Sequence, residues 1–559
     1  MLYSESQCLG GGNMNKSIGS KAVLIYPEFD TQDTFWSYSK SLQMYAPLGE
    51  HGLPKRLLPP LGLMGLYNYL KPFYEQLCLV DRNVDPRPIA EIIDGADHVF
   101  MGGMLAQEKH LLADAVDVKK LGKILIVGGT AISPESPLNE VADYLLENEA
   151  EGVIAELLQD LKAGLTKKYY KGGFVQPEHF FQPDYAAINL QNYVHMAVQI
   201  SRGCPENCEF CDIPMRFGKA YRVTPWEQTA ASFRQMKQLG WTGQVFVVDD
   251  NFIANPRKAV EVAKNLYKIG EDIGYHHPKY TELTLRLADE SIVMNDLRYW
   301  FRKANFINGF YGVETPNTAS LRETKKLQNL RGERSLVEKL KFISEQTGAG
   351  VMMGMIYGFD HDTNESVDEF IEFVNATNAP IVMAGLLNAL PCTDLMTRLK
   401  KQGRMTQATS GNNSDGIINF IPYHFSAQQA EQNYLRILNA IYAPQAYFER
   451  VMRHLQLIDP ALQSHYRSGN KSATYLVKIL TKKYAWIYWR FLPKALHIAK
   501  ARCGFNTPGY VAILAEYFSL CGQFTHFRSQ ITVQKRNIAN RVYQDWQRRS
   551  WQELNKAVE

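Results

Sequence analysis

Ser201-Arg202-Gly203-Cys204-Pro205-Glu206-Asn207-Cys208-Glu209-Phe210-Cys211-Asp212 is the stretch on which the reading of this chain turns. Three cysteines at C-x3-C-x2-C spacing sit in a short loop containing Gly and Pro, directly after the apolar run Met196-Ala197-Val198-Gln199-Ile200. A loop this compact turns three thiols toward one region. Zinc wants a fourth ligand nearby, and no further Cys or His follows until His276. Disulfides are disfavoured by three close cysteines in a chain without an export signal. A four-iron cluster held by three thiolates keeps one iron for a small-molecule ligand, so Cys204, Cys208 and Cys211 are read as cluster ligands.

The chain of 559 residues has room for about two to four domains. Its 45% hydrophobic and 21% charged residues are those of an ordinary globular protein, and a formal charge of +4 argues against nucleic acid as the main partner. Of the eight cysteines, the five outside the loop are scattered, as in a reducing cytosol, so a cytoplasmic location is expected. No apolar run approaches the roughly 18–20 residues that span a bilayer. Residues 1–20, with Gly10-Gly11-Gly12, lack the apolar core of a signal peptide and read as a disordered tail.

From Lys21 the pattern becomes regular. Buried-type strands are expected at 22–26, 77–80, 99–101 and 124–127, with helices at 63–70 and about 107–121. Apolar strands alternating with helices make a parallel sheet covered on both faces, a doubly wound Rossmann-like α/β domain over 21–165. Ligands of such sheets sit at the carboxyl ends of the strands. Those ends carry Gly102-Gly103 and Gly128-Gly129-Thr130, where missing side chains admit a bulky ligand. G-x-G-x-x-G is absent, which removes support for a dinucleotide fold. Residues 166–195 read as a linker.

Beyond the cysteine loop, strands are expected at 245–248, 280–285, 309–313, 352–356 and 381–386. With 196–200 these make six βα units over 196–400, a partial (β/α)6 barrel, whose active site belongs at the carboxyl ends of its strands. Asp249-Asp250-Asn251 ends the second strand, either as a helix cap or as a site for an ammonium group. Glu282 lies inside the third strand, where a carboxylate requires a ligand or a cation such as Arg286. His276-His277 has no partner at metal spacing and reads as structural, and Cys392 as a buried thiol.

C-x3-C-x-(aromatic)-C, with Phe210 as the aromatic, resembles the signature of the radical S-adenosylmethionine (SAM) superfamily. Gly312-Val313-Glu314-Thr315 resembles its G-x-E-[ST] element, and Gly354-Met355-Ile356-Tyr357-Gly358-Phe359-Asp360 its G-x-I-x-G-x-P element, with Asp360 in place of Pro. The resemblance implies a [4Fe-4S] cluster and SAM as cofactors, with Phe210, Asp249, Asp250, Glu282 and Glu314 contacting SAM, Glu314 near its ribose. It also implies an electron donor such as a flavodoxin or ferredoxin.

The N-terminal region resembles the cobalamin-binding domain fused ahead of such cores, through its early Pro-Pro-Leu-Gly, Val80-Asp81-Arg82-Asn83, Val127-Gly128-Gly129-Thr130 and Glu149-Ala150-Glu151. Asn148 stands where that last motif usually begins with Gly, and D-x-H-x-x-G is missing, so no His below the cobalt is expected. Gly102, Gly103, Gly128, Gly129 and Glu149 are the residues this resemblance assigns to cobalamin. Cys204 to Pro214, Phe246 to Ile253 and Val313 to Pro316 together look most like the branch containing hopanoid C-2 methylases. That branch implies a cobalamin-dependent methyltransferase acting on an unactivated carbon of a small-molecule or lipid substrate. The alternative is a radical SAM enzyme of another outcome, such as cyclisation, oxidation or rearrangement.

Residues 401–425 read as a second linker and 426–559 as a helical C-terminal domain. Leu476, Ile479, Leu480, Tyr484, Ile487 and Phe491 share one helical face, Lys478, Lys482, Lys483 and Arg490 make other faces basic, and Pro493 is expected to end the helix. Trp486 and Trp489 suit a lipid interface, and a helix packed on the barrel with a solvated basic side is the competing reading.

Overall fold

A computed structural model of the chain describes residues 18–29, 55–165, 167–462 and 483–540. In its N-terminal part, β1 (Gly19–Tyr26), α1 (Leu61–Leu70), β2 (Tyr74–Asp81), β3 (His98–Gly102), α2 (Glu108–Lys120) and β4 (Ile124–Gly128) form where apolar runs and helical periods put them. The sheet is larger than its sequence pattern suggests. β5 (Tyr144–Glu147), α3 (Ile154–Ala163) and β6 (Tyr169–Lys171) extend it, and β6 comes from within the stretch read as a linker. All pairings are parallel, in the order β2-β1-β3-β4-β5-β6. Separate apolar cores cover the two faces: Val23, Val99, Leu125 and Val127 on one, Ala22, Leu24, Phe100 and Ile126 on the other. The strand order reverses between β1 and β3, so the ligand crevice of a doubly wound sheet belongs at their carboxyl ends.

The second sheet has strictly sequential order. β7 (Met196–Val198), β10 (Val245–Val247), β11 (Lys279–Leu283), β12 (Phe306–Glu314), β13 (Gly350–Tyr357) and β14 (Ile381–Leu386) are parallel. They alternate with α4 (Trp226–Gln238), α5 (Pro256–Asp272), α6 (Ile292–Lys303), α7 (Leu336–Thr347) and α8 (Ser366–Ala376). A small antiparallel hairpin, β8 (Ser201–Arg202) with β9 (Arg222–Val223), flanks the cysteine loop.

A partial barrel leaves an edge at β14, and unpaired edge backbone must find partners. The C-terminal helices provide them. Tyr442, capping the C-terminus of α10 (Ala427–Ile441), binds both the N–H and the C=O of Val382, at 3.2 and 2.6 Å, and Tyr434 of α10 donates to the Ala384 carbonyl at 3.1 Å. Preceding α10, α9 (Asp394–Lys401) follows β14, and α11 (Pro444–Leu457), α12 (Ala485–Cys503) and α13 (Pro508–Asn540) complete the chain's described part. Barrel and tail helices share one core, which includes Val351, Val382, Ile437, Phe448, Tyr488 and Phe524.

Two expectations are corrected. Pro493 lies inside α12, which continues to Cys503, because neighbouring side chains pack on both sides of it. Cys392 is exposed, with φ of 66°. Leu476, Lys478, Ile479, Leu480 and Lys482 lie outside the described residues. No described helix is long and apolar enough to cross a membrane.

Candidate active site

The cysteine loop is held from below by β10, the strand paired with β7. Asp249, at the end of β10, is 1% exposed and accepts hydrogen bonds from Ile200 N (2.8 Å), Ser201 N (2.9 Å) and Ser201 Oγ (2.6 Å). Burial, with Asp250 adding to it, pushes its pKa up to about 7 against those donors. This carboxyl group therefore fixes the approach to the loop. Asp250 accepts from Gly203 N at 3.1 Å. Gly203 takes φ of 89°, and a Cβ there would lie 2.3 Å from the Ala220 carbonyl, so only glycine lets the chain enter the loop at this angle.

Polar groups surround the sulfurs. Asn251 Nδ2 lies 3.7 Å from Cys204 Sγ, and Gln328 Nε2 lies 3.4 Å from Cys208 Sγ. Lys326 binds Glu314 Oε1 at 2.6 Å, with both side chains 10% exposed. Burial works against the lysine's charge, but Glu314, joined by Cys208 and Cys211 as thiolates, outweighs it and its pKa rises. Glu314 itself takes φ of 68° at a register shift of β12. A Cβ on Gly312 would lie 2.6 Å from Glu314 Oε1 and 2.9 Å from Lys326 Nζ, so the glycine of this motif makes room for the ion pair.

Among the described residues no group of three His, Cys, Asp or Glu side chains converges on a single metal ion. A cubane cluster asks for something else, since each thiolate takes a different iron. N–H donors on two sulfurs and a buried ammonium near them suit an anionic cluster, so the donor set fits that group. Burial pushes the pKa values of these three thiols up, Cys211 most strongly.

Asp360 sits where the family pattern has Pro, and it has a distinct role. Arg398 and Arg404 both pair with it, and Arg398 also reaches Glu209 Oε1 at 2.6 Å. Glu209 lies between Cys208 and Phe210 in the sequence, so this network ties the cluster loop to α9.

A cavity of about 880 Å³ joins the two sheets. Gly102, Gly103, Gly128, Gly129, Asn148 and Glu149 line it from the crevice side, and Gln199, Phe246, Tyr280, Glu282, Phe310 and Met352 from inside the barrel. The strand-end glycines have partly internal reasons to be glycine. Gly129 has φ of 95°, and a Cβ would lie 2.6 Å from the Gly103 carbonyl. Glu149 lines the cavity, but its carboxylate is occupied by Arg222 at 2.8 Å and by Val175 N at 2.7 Å. Arg202 reaches Glu151 at 2.8 Å. These acids therefore fasten the N-terminal domain to the β8–β9 hairpin.

Glu282 connects the two halves of the site. Its side chain is solvent-accessible through the cavity it lines, and Arg286 turns instead toward Glu206 and Asp289. Burial, with Asp250, Glu314 and Asp249 adding to it and Lys326 opposing, raises its pKa to about 7. Cys204, Cys208, Cys211, Phe210, Asp249, Asp250 and Glu314 are not among the residues lining the cavity; they stand beside it. The cations Arg222, Lys326 and Arg398 were not foreseen in the sequence, where nothing marks them out from other basic residues.

A doubly wound domain set before a six-stranded partial barrel, with three cysteines after the first barrel strand, defines a class of SAM-dependent radical enzymes. The profile of the Radical SAM superfamily matches residues 198–374, and that of a domain of unknown function, DUF4070, matches 393–540. An uncharacterized methyltransferase of Synechocystis sp. is 32% identical over 94% of this chain and 96% of its own length. The hopanoid C-2 methylase of Rhodopseudomonas palustris is 28% identical over 74% of this chain and 77% of its own. Among solved structures, OxsB, a cobalamin-dependent SAM radical enzyme, superposes with a TM-score of 0.56 at 15% identity, covering 96% of this chain and 84% of OxsB. TsrM of Kitasatospora setae, a radical SAM methyltransferase, gives 0.55 at 12%, covering 87% and 99%. At those identities the likeness is one of fold. The chain belongs to the radical SAM superfamily, in one family with the Synechocystis methyltransferase.

Proposed function

We propose that the protein is a cobalamin-dependent radical SAM methyltransferase that places a methyl group on an unactivated carbon of a small-molecule or lipid substrate. The observation that carries this reading is the shared cavity. Glu282 opens onto the same space as the glycine-ended strands of the first sheet, while lying within electrostatic reach of Asp250, Glu314 and Lys326 around the cysteine loop.

Cys204, Cys208 and Cys211 would hold the [4Fe-4S] cluster, and Gly102, Gly103, Gly128 and Gly129 would border the corrinoid at the reversal of strand order. When bound, cluster and SAM supply a carbon-centred radical for hydrogen abstraction, and the corrinoid supplies the methyl group. The chain's own residues enclose and orient. The apolar wall of Phe246, Phe310 and Met352 keeps water from the reacting carbon, and Lys326 neutralises charge beside Glu314.

A hopanoid is the leading lipid, supported by the Rhodopseudomonas relative. Trp486 and Trp489, 57% and 53% exposed on α12, support contact of that helix with a membrane surface from which such a substrate is drawn. Electrons are supplied by a small donor such as a flavodoxin or ferredoxin. The reconstituted protein, reduced in the presence of SAM, is expected to form 5′-deoxyadenosine and a methylated product, and Cys208→Ala to form neither. Formation of 5′-deoxyadenosine without methylation of any supplied lipid would favour cyclisation, oxidation or rearrangement.

A further inference from the structure

The cavity does not end at the barrel's reactive mouth. It continues to the starts of β12, β13 and β14, at Asn308, Val351 and Ile381, where α10, α11 and α13 close it. This far end is unusually polar for a space bounded by a hydrophobic core. Glu516, Gln523 and Gln530 recur at two-turn intervals on one face of α13, and all three line the cavity. The stripe they mark is about 21 Å long at an α-helical rise of roughly 1.5 Å per residue.

His454 of α11 faces this stripe, with Nε2 3.2 Å from Glu516 Oε1, and the two residues are 3% and 6% exposed. His454 Nδ1, Gln523 Oε1 and Gln530 Oε1 are buried without a hydrogen-bond partner among the described residues. A buried polar atom is seldom left unpaired, so three at one wall signal a ligand or ordered water. No lysine lines the cavity, and its two arginines are engaged at the other end, Arg56 with the Asn83 carbonyl and Arg202 with Glu151. An anionic group would meet Glu516 with no cation to offset it. Carboxamides and a His–Glu pair both donate and accept, which matches hydroxyl groups.

We propose that this far end is a binding site for the hydroxylated terminus of an elongated, otherwise apolar substrate, whose body lies along Tyr280, Phe310 and Met352. The inference rests on the methyltransferase reading for its choice of substrate class, and gives the matched domain of unknown function the task of substrate selection. Gln523 and Gln530 set specificity and touch none of the reacting atoms.

The test uses the reconstituted holoenzyme and two probes, a triterpenoid with a polyhydroxylated side chain and the same triterpenoid with a saturated alkyl side chain. Equilibrium binding is expected to favour the hydroxylated probe by about tenfold or more. Gln523→Leu with Gln530→Leu should erase that preference while leaving the affinity for the alkyl probe within about twofold, which also shows that the variant is folded. Equal affinity for the two probes, failure of both to bind, stronger binding of an amine-ended analogue, or a preference that survives the double substitution would overturn the proposal. Preference for the hydroxylated probe without any methylated product would leave this site standing and remove the methyltransferase reading instead.

Discussion

Arg222, in the hairpin beside the cysteine loop, grips Glu149, at the edge of the first sheet, in a two-pronged ion pair with side chains 9% and 0% exposed. Breaking one partner of a buried pair leaves an uncompensated charge. Arg222→Met should therefore lower stability by about 3–5 kcal/mol, read as a shift in the urea unfolding midpoint. Adding Glu149→Gln should recover part of the loss. If the double variant is as unstable as the sum of the singles, the two residues do not act as a pair.

Asn251 and Gln328 donate toward Cys204 and Cys208. N–H donors on cluster sulfurs stabilise the more negative, reduced state. Replacing either amide by Leu should make the cluster harder to reduce, seen as a more negative midpoint in an EPR-monitored redox titration, with iron and sulfide content retained. An unchanged midpoint would remove these amides from the electrostatics of the site.

Glu282 carries a pKa of about 7 in the folded chain, above its ordinary 4.5, chiefly through burial. A raised carboxyl gives stability that is complete below the ordinary value and is lost as pH climbs through the folded one. Between pH 4.5 and 7 the wild-type protein should therefore lose about 1–3 kcal/mol from this group, a range reduced because it opens onto cavity water. Glu282→Gln should flatten that slope, measured by urea unfolding at stepped pH, and should be the more stable protein at pH 8. Identical slopes would place the carboxylate in contact with bulk solvent.

Gly129 combines a left-handed φ of 95° with backbone 2.6 Å from where a Cβ would stand. Gly129→Ala should cost about 1–3 kcal/mol and displace the end of β4. Corrinoid uptake by the variant, followed by its visible absorbance, should fall with the stability.

Much of this was legible before the fold was known, and the reasons are local. Cys204, Cys208 and Cys211 advertise themselves because ligand spacing is written in consecutive residues. β1, β3 and β4 are apolar runs buried on both faces, which few other structures produce. β5 and β6 escaped because they are four and three residues long, and β6, Tyr-Tyr-Lys, has no run to read. The family resemblance assigns Glu149 to cobalamin, whereas its ion-pair partner Arg222 lies 73 residues away, and no sequence window joins the two. The polar stripe on α13 was invisible for a related reason. Gln at two-turn spacing on a long helix looks like a solvated face until a barrel is found beneath it.

The proposed reaction passes a methyl group from SAM to carbon in this cavity. Anaerobic turnover with SAM bearing a trideuteromethyl group, followed by mass spectrometry of the lipid product, tests it most directly. The prediction is a product heavier by one methyl substitution that carries the intact trideuteromethyl group. A product without deuterium, formed alongside 5′-deoxyadenosine, would contradict it.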